Sequence, residues 1–560
     1  MASAPALPDP VVDDAEVAPD GGRSRPGPGL GVSAAAPTLP VDLHARLVSR
    51  VVTTGERDEL MVTSPLSLAP IGVVPSCTAD DVSEAVRRGR AAQADWAART
   101  HADRARVLRR LGDLVLERQA EVLDLIQLES GKVRAHAFEE VADVAIVAAY
   151  YARTARQHLA PRRREGALPL LTSTRELRHP KGVVGFIAPW NYPLSMAITD
   201  VIPALAAGNA CVLKPAQQTP FTALWIVDLA IEAGVPADLL TVVTGRGSTL
   251  GSAIIEQVDF VTFTGSTEVG RTVARQAADQ LIGCALELGG KNAMVVLEDA
   301  DLEQAVDGAV RGCFASAGQL CISIERLLVH ESVADAFTQR FVGRVNGLAL
   351  STALAWGGEM GSLASQQQLE TVQAHVEDAV AKGARILTGG EPRPAIGPLV
   401  YAPTVLTDVT PDMRVYAEET FGPVVSISTF ASDDEAVTEV NASDYGLNAS
   451  VWTRDVRRGE RLGARIQAGT VNVNEAYAAA WASVDAPMGG FKDSGLGRRH
   501  GREGIWKYTE VQTIASQSLL PVGSVPLLSD ERTAAVLSPA VKLLGRLPHL
   551  PQVPRPRRRS

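Results

Sequence analysis

The chain has 560 residues, 46% of them apolar and 21% charged, and a net charge of −10. It is too long for a single core, so two or three globular domains are expected. The acidic balance argues against wholesale binding of nucleic acid or an anionic membrane surface, and the lack of any apolar run of about 18 residues argues against a membrane span.

Residues 1–40 are rich in Ala, Pro, Gly and Asp and carry too little apolar surface to offset their ordering entropy, so a disordered arm is expected. The same stretch lacks the apolar core of a secretory signal. Thr78 to Ala98 reads as a capped helix, with Thr78 as N-cap, Asp80 and Asp81 in the first turn, and Val82, Ala85 and Val86 at helical spacing. His101 to Ser130 reads as a second helix closed by Gly131, and about Ala135 to His158 as a third, with Glu139 and Glu140 as solvated charges. Pro161 to Pro180 breaks the helical pattern with the basic run Arg162, Arg163, Arg164 and short extended pieces.

From Gly182 the pattern becomes strand, helix, strand. Val183–Ile187, Ala210–Leu213, Leu240–Val243 and Phe260–Phe263 are apolar runs separated by helical segments, which predicts an α/β fold with a parallel, doubly wound sheet. Ligands on such sheets sit at the carboxyl ends of the strands, where Pro189, Lys214, Gly245 and Thr264 fall. A second alternating region runs from about Arg326 to Asn472. Leu519 to Leu550 is apolar with Pro breaks, Glu531 to Leu544 has the pattern of a short amphipathic helix, and Arg555 to Ser560 is basic; a solvated tail is expected.

The five cysteines form an odd, sparse set without paired or metal-ligand spacing, which argues for a reducing compartment, the cytoplasm, and against a metal site. Cys77, Cys211, Cys284 and Cys313 read as buried structural residues. Cys321 lies in Phe-Ala-Ser-Ala-Gly-Gln-Leu-Cys-Ile-Ser, where Gly318 and Gln319 suggest a turn that exposes the sulfur. A thiolate is a strong nucleophile toward a carbonyl carbon. On this stretch alone, a nucleophile and an inert core cysteine fit equally well.

Other stretches decide between them. Glu287 lies in Leu-Glu-Leu-Gly-Gly-Lys-Asn, Asn191 in Pro-Trp-Asn-Tyr-Pro, and Lys214 in Leu-Lys-Pro-Ala. Downstream come Glu-Glu-Thr-Phe-Gly-Pro-Val from Glu418 and Pro-Met-Gly-Gly-Phe-Lys-Asp-Ser-Gly from Pro487. In this order the motifs resemble the NAD(P)-dependent aldehyde dehydrogenase superfamily, over about residues 61–516, and the wording is most similar to its actinobacterial succinate-semialdehyde dehydrogenase branch.

The resemblance implies a Rossmann-type cofactor domain (61–160 and 181–286), an α/β catalytic domain (287–493), a small β bridging element (161–180 and 508–516) and a tail (517–560). It implies a homodimer or homotetramer, since the family's bridging hairpin crosses to a neighbouring subunit. Cys321 would attack the aldehyde, the Asn191 amide and the Cys321 backbone N–H would hold the oxyanion, and Glu287 would activate water against the thioester. For the cofactor, the family pattern implies Trp190, Lys214, Gln217, Gly245, Gly265, Ser266, Leu288, Glu419 and Phe421. Thr264 to Gly270 closes a strand and opens a helix whose free N–H groups suit a pyrophosphate. Where NAD-preferring members carry a glutamate that repels a 2′-phosphate, this chain has neutral Gln217, which leans the expectation to NADP over NAD. Arg246 and Arg271 are further sources of positive charge.

The substrate is harder to read. Well-known succinate-semialdehyde enzymes grip the substrate carboxylate with two arginines, and the corresponding positions here are Thr199 and Ala315. Either another cation serves, or the aldehyde is less charged. Tyr477 to Asp485 reads as an Ala-rich loop whose Tyr477 and Trp481 belong either to the pocket wall or to a packed surface. The leading expectation is oxidation of succinate semialdehyde to succinate. The alternatives are another aliphatic or aromatic aldehyde, transfer of the thioester to coenzyme A, and a non-catalytic nucleotide-binding homologue.

Overall fold

A computed structural model of the protein describes residues 29–35, 37–167, 171–519, 528–544 and 546. Two parallel sheets divide the work. The first has six strands in the order 495–496, 283–287, 260–264, 183–187, 210–214 and 240–242. Its central strand, Val183–Ile187, is an apolar run buried almost throughout, as expected where helices cover both faces. From it the chain winds outward through 210–214 and 240–242, then returns to the other side at 260–264. That reversal opens a crevice at the carboxyl ends of Val183–Ile187 and Phe260–Thr264. The outermost strand, Gly495–Leu496, is antiparallel to Gly283–Glu287 and comes from far downstream.

The second sheet has seven strands in the order 385–388, 404–407, 424–430, 324–330, 292–296, 448–452 and 470–473. All neighbours are parallel except Arg385–Thr388. A third sheet pairs Thr509–Gln517 with Thr172–Pro180, and Thr172–Pro180 with Arg162–Arg164, all antiparallel. Its outer strand is exposed along nearly its whole length.

The helices follow the sequence pattern with instructive departures. Ala79–Ala98 begins in a capping box: Thr78 N–H donates to Asp81 Oδ2 at 2.8 Å. The single helix expected over His101 to Ser130 is two, His101–Glu117 and Gln119–Ser130, divided where Arg118 leaves helical geometry. Gly131 closes the second in the left-handed region at φ 76°. Arg134–Leu159 contains Glu139 and Glu140, and here the surface-charge expectation is corrected. Glu140 is fully buried, its Oε1 2.6 Å from Lys132 Nζ, while Oε2 accepts the N–H groups of Leu194 and Ser195. Glu139 is largely buried and accepts the Tyr477 hydroxyl at 3.3 Å.

The expectation of a disordered arm through residue 40 is also corrected for its last part. Leu30 N–H donates to Asp124 Oδ2, Leu39 is buried, and a helix, Val41–Val48, follows immediately; residues 1–28 lie outside the described residues. In the tail, helix Asp530–Leu544 forms with Pro539 inside it and Val536, Val541 and Leu543 exposed. Residues 547–560, with the basic run, lie outside the described residues. Among the described residues, no helix is long and apolar enough to cross a membrane.

Candidate active site

Cys321 is presented by a backbone device. Helix Leu302–Phe314 ends, and Ser316, Ala317 and Gly318 then take φ values of 51°, 55° and 71°. Three successive left-handed residues are costly outside glycine, so the surroundings must impose them. Ser316 N–H donates to His136 Nδ1 at 3.1 Å, and its hydroxyl meets the Tyr192 hydroxyl at 3.1 Å. Gln319 is tied on both ends of its amide: Nε2 donates to Ser316 O and Ser362 O, and Oε1 accepts Ala364 N–H. Asn292 Nδ2 holds the carbonyls of Cys321 and Ser323 at 2.8 and 2.7 Å. Cys321 as a residue is left partly exposed, at the wall of a cavity of about 290 Å³.

Asn191 follows strand Val183–Ile187 at the crevice and lines the same cavity. Its Nδ2 donates to Gln319 O at 3.0 Å, which orients the amide and leaves its second proton for another acceptor. Its own carbonyl is held at 2.6 Å by Lys132 Nζ, the cation paired to Glu140. The buried glutamate, missed from sequence, thus braces the cavity wall. The helical pattern shows Glu140 as one more polar residue; its partner Lys132 lies outside that helix.

Glu287 ends strand Gly283–Glu287, and its carboxyl enters the cavity. Flanking hydrogen bonds fix it: Gly265 N–H donates to Glu287 O at 3.1 Å, and Leu288 N–H to Ser494 O at 3.0 Å. Oε1 is buried without a hydrogen-bond partner among the described residues. Burial pushes this carboxyl up to about 7, against the pull of Arg499 and Lys507. Burial and the nearby carboxyls of Glu419 and Glu287 push the Cys321 thiol up to about 12, with Arg499 opposing. In this state the thiol holds its proton, and attack requires a base to take it.

The remaining expected site residues divide in two. Trp190, Gly265, Ser266, Leu288, Glu419 and Phe421 line the cavity with the three above. Lys214, Gln217 and Gly245 do not. Gln217 faces a separate hollow beside Met61, and Lys214 Nζ is buried against Pro215 O, near Gly247. Cys284 is partly exposed, which corrects the buried reading; Cys77, Cys211 and Cys313 are buried. Arg271 is paired with Asp493, and Arg246 is exposed. Trp481 lines the cavity, while Tyr477 is packed beneath it.

The nucleotide end has the features a dinucleotide needs. Ser266 caps helix Thr267–Asp279 without using its side chain, leaving first-turn N–H groups for a pyrophosphate. A Cβ on Gly289 would sit 2.1 Å from Glu419 Oε2, so only glycine leaves that carboxyl its room. Glu419 accepts Gly290 N–H at 2.8 Å, and burial pushes it up to about 8. A buried carboxyl with spare acceptor capacity suits ribose hydroxyls. The Trp190 and Phe421 rings meet edge to face, 5.5 Å apart, at the same wall. Among the described residues, no group of His, Cys, Asp and Glu could hold a metal ion.

The substrate side is apolar: Tyr192, Met196, Leu447, Trp481 and Met488 line it. Among the described residues lining the cavity, Arg499 is the sole cation. Sequence reasoning missed it, although the pair Arg498–Arg499 follows closely on Gly495, where the last motif ends. A thiol, a backbone-oriented amide and an unpaired carboxyl around one enclosed space can perform attack, oxyanion stabilisation and proton removal on a carbonyl carbon.

The profile of the aldehyde dehydrogenase family matches residues 52–514. A Mycobacterium tuberculosis protein named putative succinate-semialdehyde dehydrogenase (NADP) 2 is 48% identical over 493 residues, 87% of this chain and 94% of its own. The peroxisomal aminoaldehyde dehydrogenase 2 of Pisum sativum is 38% identical over 81% of this chain and 91% of its own. Among solved structures, a Staphylococcus aureus betaine aldehyde dehydrogenase with bound NAD superposes with a TM-score of 0.81, at 31% identity over 87% of this chain and 98% of its own. An Escherichia coli enzyme described as NADP dependent gives 0.80, at 34% identity over 83% and 97%. The chain therefore belongs to the aldehyde dehydrogenase family, and is an enzyme of that family.

Proposed function

We propose that the protein oxidises succinate semialdehyde to succinate, with NADP preferred over NAD and water as the acyl acceptor. The observation that carries the hydrolytic reaction is the meeting of Cys321, Glu287 and Asn191 at one cavity. Cys321 adds to the aldehyde carbon, its thiol proton passing to the Glu287 carboxylate as the C–S bond forms, and Glu287 releases that proton to solvent before the hydrolytic step. The resulting oxyanion accepts hydrogen bonds from the free Asn191 amide N–H and from the Cys321 backbone N–H. A bound nicotinamide supplies the hydride acceptor for the same carbon. Cys321 is then held as a thioester, and Glu287 takes a proton from the water that opens it, releasing acid and restoring the thiol. Lys214 and Gln217 would hold the adenosine side of the cofactor, with Gly245 beside them. Glu419, Trp190, Phe421, Leu288, Gly265 and Ser266 would hold the rest.

Two features support the substrate and cofactor: the names of the mycobacterial relatives at 48% identity, and neutral Gln217. An uncharged aldehyde is the second reading, favoured by the apolar wall of Tyr192, Met196 and Trp481. We assign the exposed edge strand Thr509–Gln517 to a subunit interface in a homodimer or homotetramer. The decisive experiment is reduced-nicotinamide formation by the purified protein with succinate semialdehyde and with butanal, each with NAD and NADP. Preference for succinate semialdehyde with NADP is expected. Preference for butanal would overturn the substrate, and turnover unaffected by Cys321→Ala would overturn the mechanism.

A further inference from the structure

Asp200 is a buried carboxylate at the start of helix Val201–Ala207, and two cations share it. Arg499 pairs with Oδ2 through Nη2, and Lys507 Nζ lies 3.0 Å from Oδ1. The Tyr508 hydroxyl adds a hydrogen bond to Oδ1 at 3.3 Å. Asp200 is held ionised, well below the usual carboxylate range, by Arg499 and Lys507 against its burial. Glu287 and then Asp143 are the next carboxyls to act on Arg499, and burial pushes each of them up to about 7. Two cations thus share the one Asp200 carboxylate.

Of the two, Arg499 faces the catalytic cavity. Arg499 lines it, 7% exposed, and among the described residues Nη1 reaches only the Met196 sulfur, at 3.4 Å. A thioether is a weak acceptor for a guanidinium, which has five donors and prefers a carboxylate. A buried guanidinium donor held only by a weak acceptor gains from a ligand that offers a better one. The other candidate positions offer nothing: the Thr199 hydroxyl is spent on Ser195 O at 2.7 Å, and Ala315 presents a methyl group.

We propose that Arg499, braced by Asp200, is the specificity residue that receives the distal carboxylate of an ω-carboxylated aliphatic aldehyde, the Nη1 donor exchanging Met196 for the substrate. This deepens the proposed function and rests on its substrate reading. Lys507 stays with Asp200 in an Arg499→Gln protein, so that variant keeps its buried carboxylate paired.

The test compares kcat/KM for succinate semialdehyde, glutarate semialdehyde and butanal in the wild type, Arg499→Gln and Arg499→Lys, with the pH profile of each. The expected result is that Arg499→Gln lowers the ratio of succinate semialdehyde to butanal by roughly 10- to 100-fold, mainly through KM, and that Arg499→Lys restores part of it. Equal losses on both aldehydes, with a shifted pH profile, would mean that Arg499 acts on Glu287 instead; the proposal would fall and the substrate reading would stand. A wild type that prefers glutarate semialdehyde and loses that preference in Arg499→Gln would support the assignment of Arg499 while replacing succinate semialdehyde. A wild type that prefers butanal would overturn both.

Discussion

Glu287 ties the chemistry to pH. Its folded-state pKa is raised to about 7, chiefly by burial, and a general base works only when deprotonated. The rate of thioester hydrolysis should therefore be at its plateau above pH 7 and fall about tenfold per unit below it, as steady-state kcat between pH 5 and 9 will show. Glu287→Gln should lower kcat by about 10²–10⁴-fold and leave acyl-Cys321 detectable by intact-mass spectrometry. Cys321→Ala should lower turnover by roughly 10⁴–10⁶-fold while retaining nucleotide binding, measured by calorimetry. Gln217→Glu restores a negative charge where a 2′-phosphate is expected, and should move the NADP-to-NAD ratio of kcat/KM toward NAD by about 10- to 100-fold. The motif residues were legible because each carries its chemistry in its side chain and sits in a distinctive local wording. Glu140, Lys132 and Arg499 were not. Their roles depend on partners in other elements, such as Lys132 with Asn191 O or Arg499 with Asp200, and no local pattern records such pairings.

At the scale of elements, the turn before Cys321 is the most constrained piece of backbone. A Cβ on Gly318 would lie 2.1 Å from Gly422 O, and φ is 71° there, so glycine is required on both counts. Gly318→Ala should cost about 1–3 kcal/mol and lower kcat more than it lowers nucleotide affinity, read from thermal melts beside kinetics. The turn was anticipated from Gly318 and Gln319, but the left-handed Ser316 and Ala317 were not, since neither residue type favours that region. Lys132 makes the complementary point. Lys132→Met would leave Glu140 buried beside the Leu194 and Ser195 N–H groups without its cation, at a cost of about 3–5 kcal/mol. Chemical denaturation should show that loss. The alternation of strands and helices from Gly182 was readable because buried parallel strands are continuous apolar runs. The break at Arg118 was not, because apolar spacing continues across it.

Across the whole molecule, the cavity is assembled from segments that no single sheet supplies. Glu287 ends a strand of the six-stranded sheet and Asn191 follows another, Cys321 lies on the approach to the seven-stranded one, Trp481 and Met488 on the stretch that leads back to the first, and Arg499 just past its return strand. Charging the exposed edge strand by Ile514→Asp should lower the assembly's mass in light scattering if that edge joins subunits. The return strand Gly495–Leu496 has a further meaning. It pairs with Leu286 and Glu287, so the segment bearing the candidate base gains its last backbone neighbour from residues translated more than two hundred positions later. The first sheet can form its central strands early, yet the pocket stays open on that side while the rest of the chain is made. Turnover should thus be one of the last properties a ribosome-bound chain acquires, and a nascent chain stalled before Gly495 should fold in part while remaining catalytically silent.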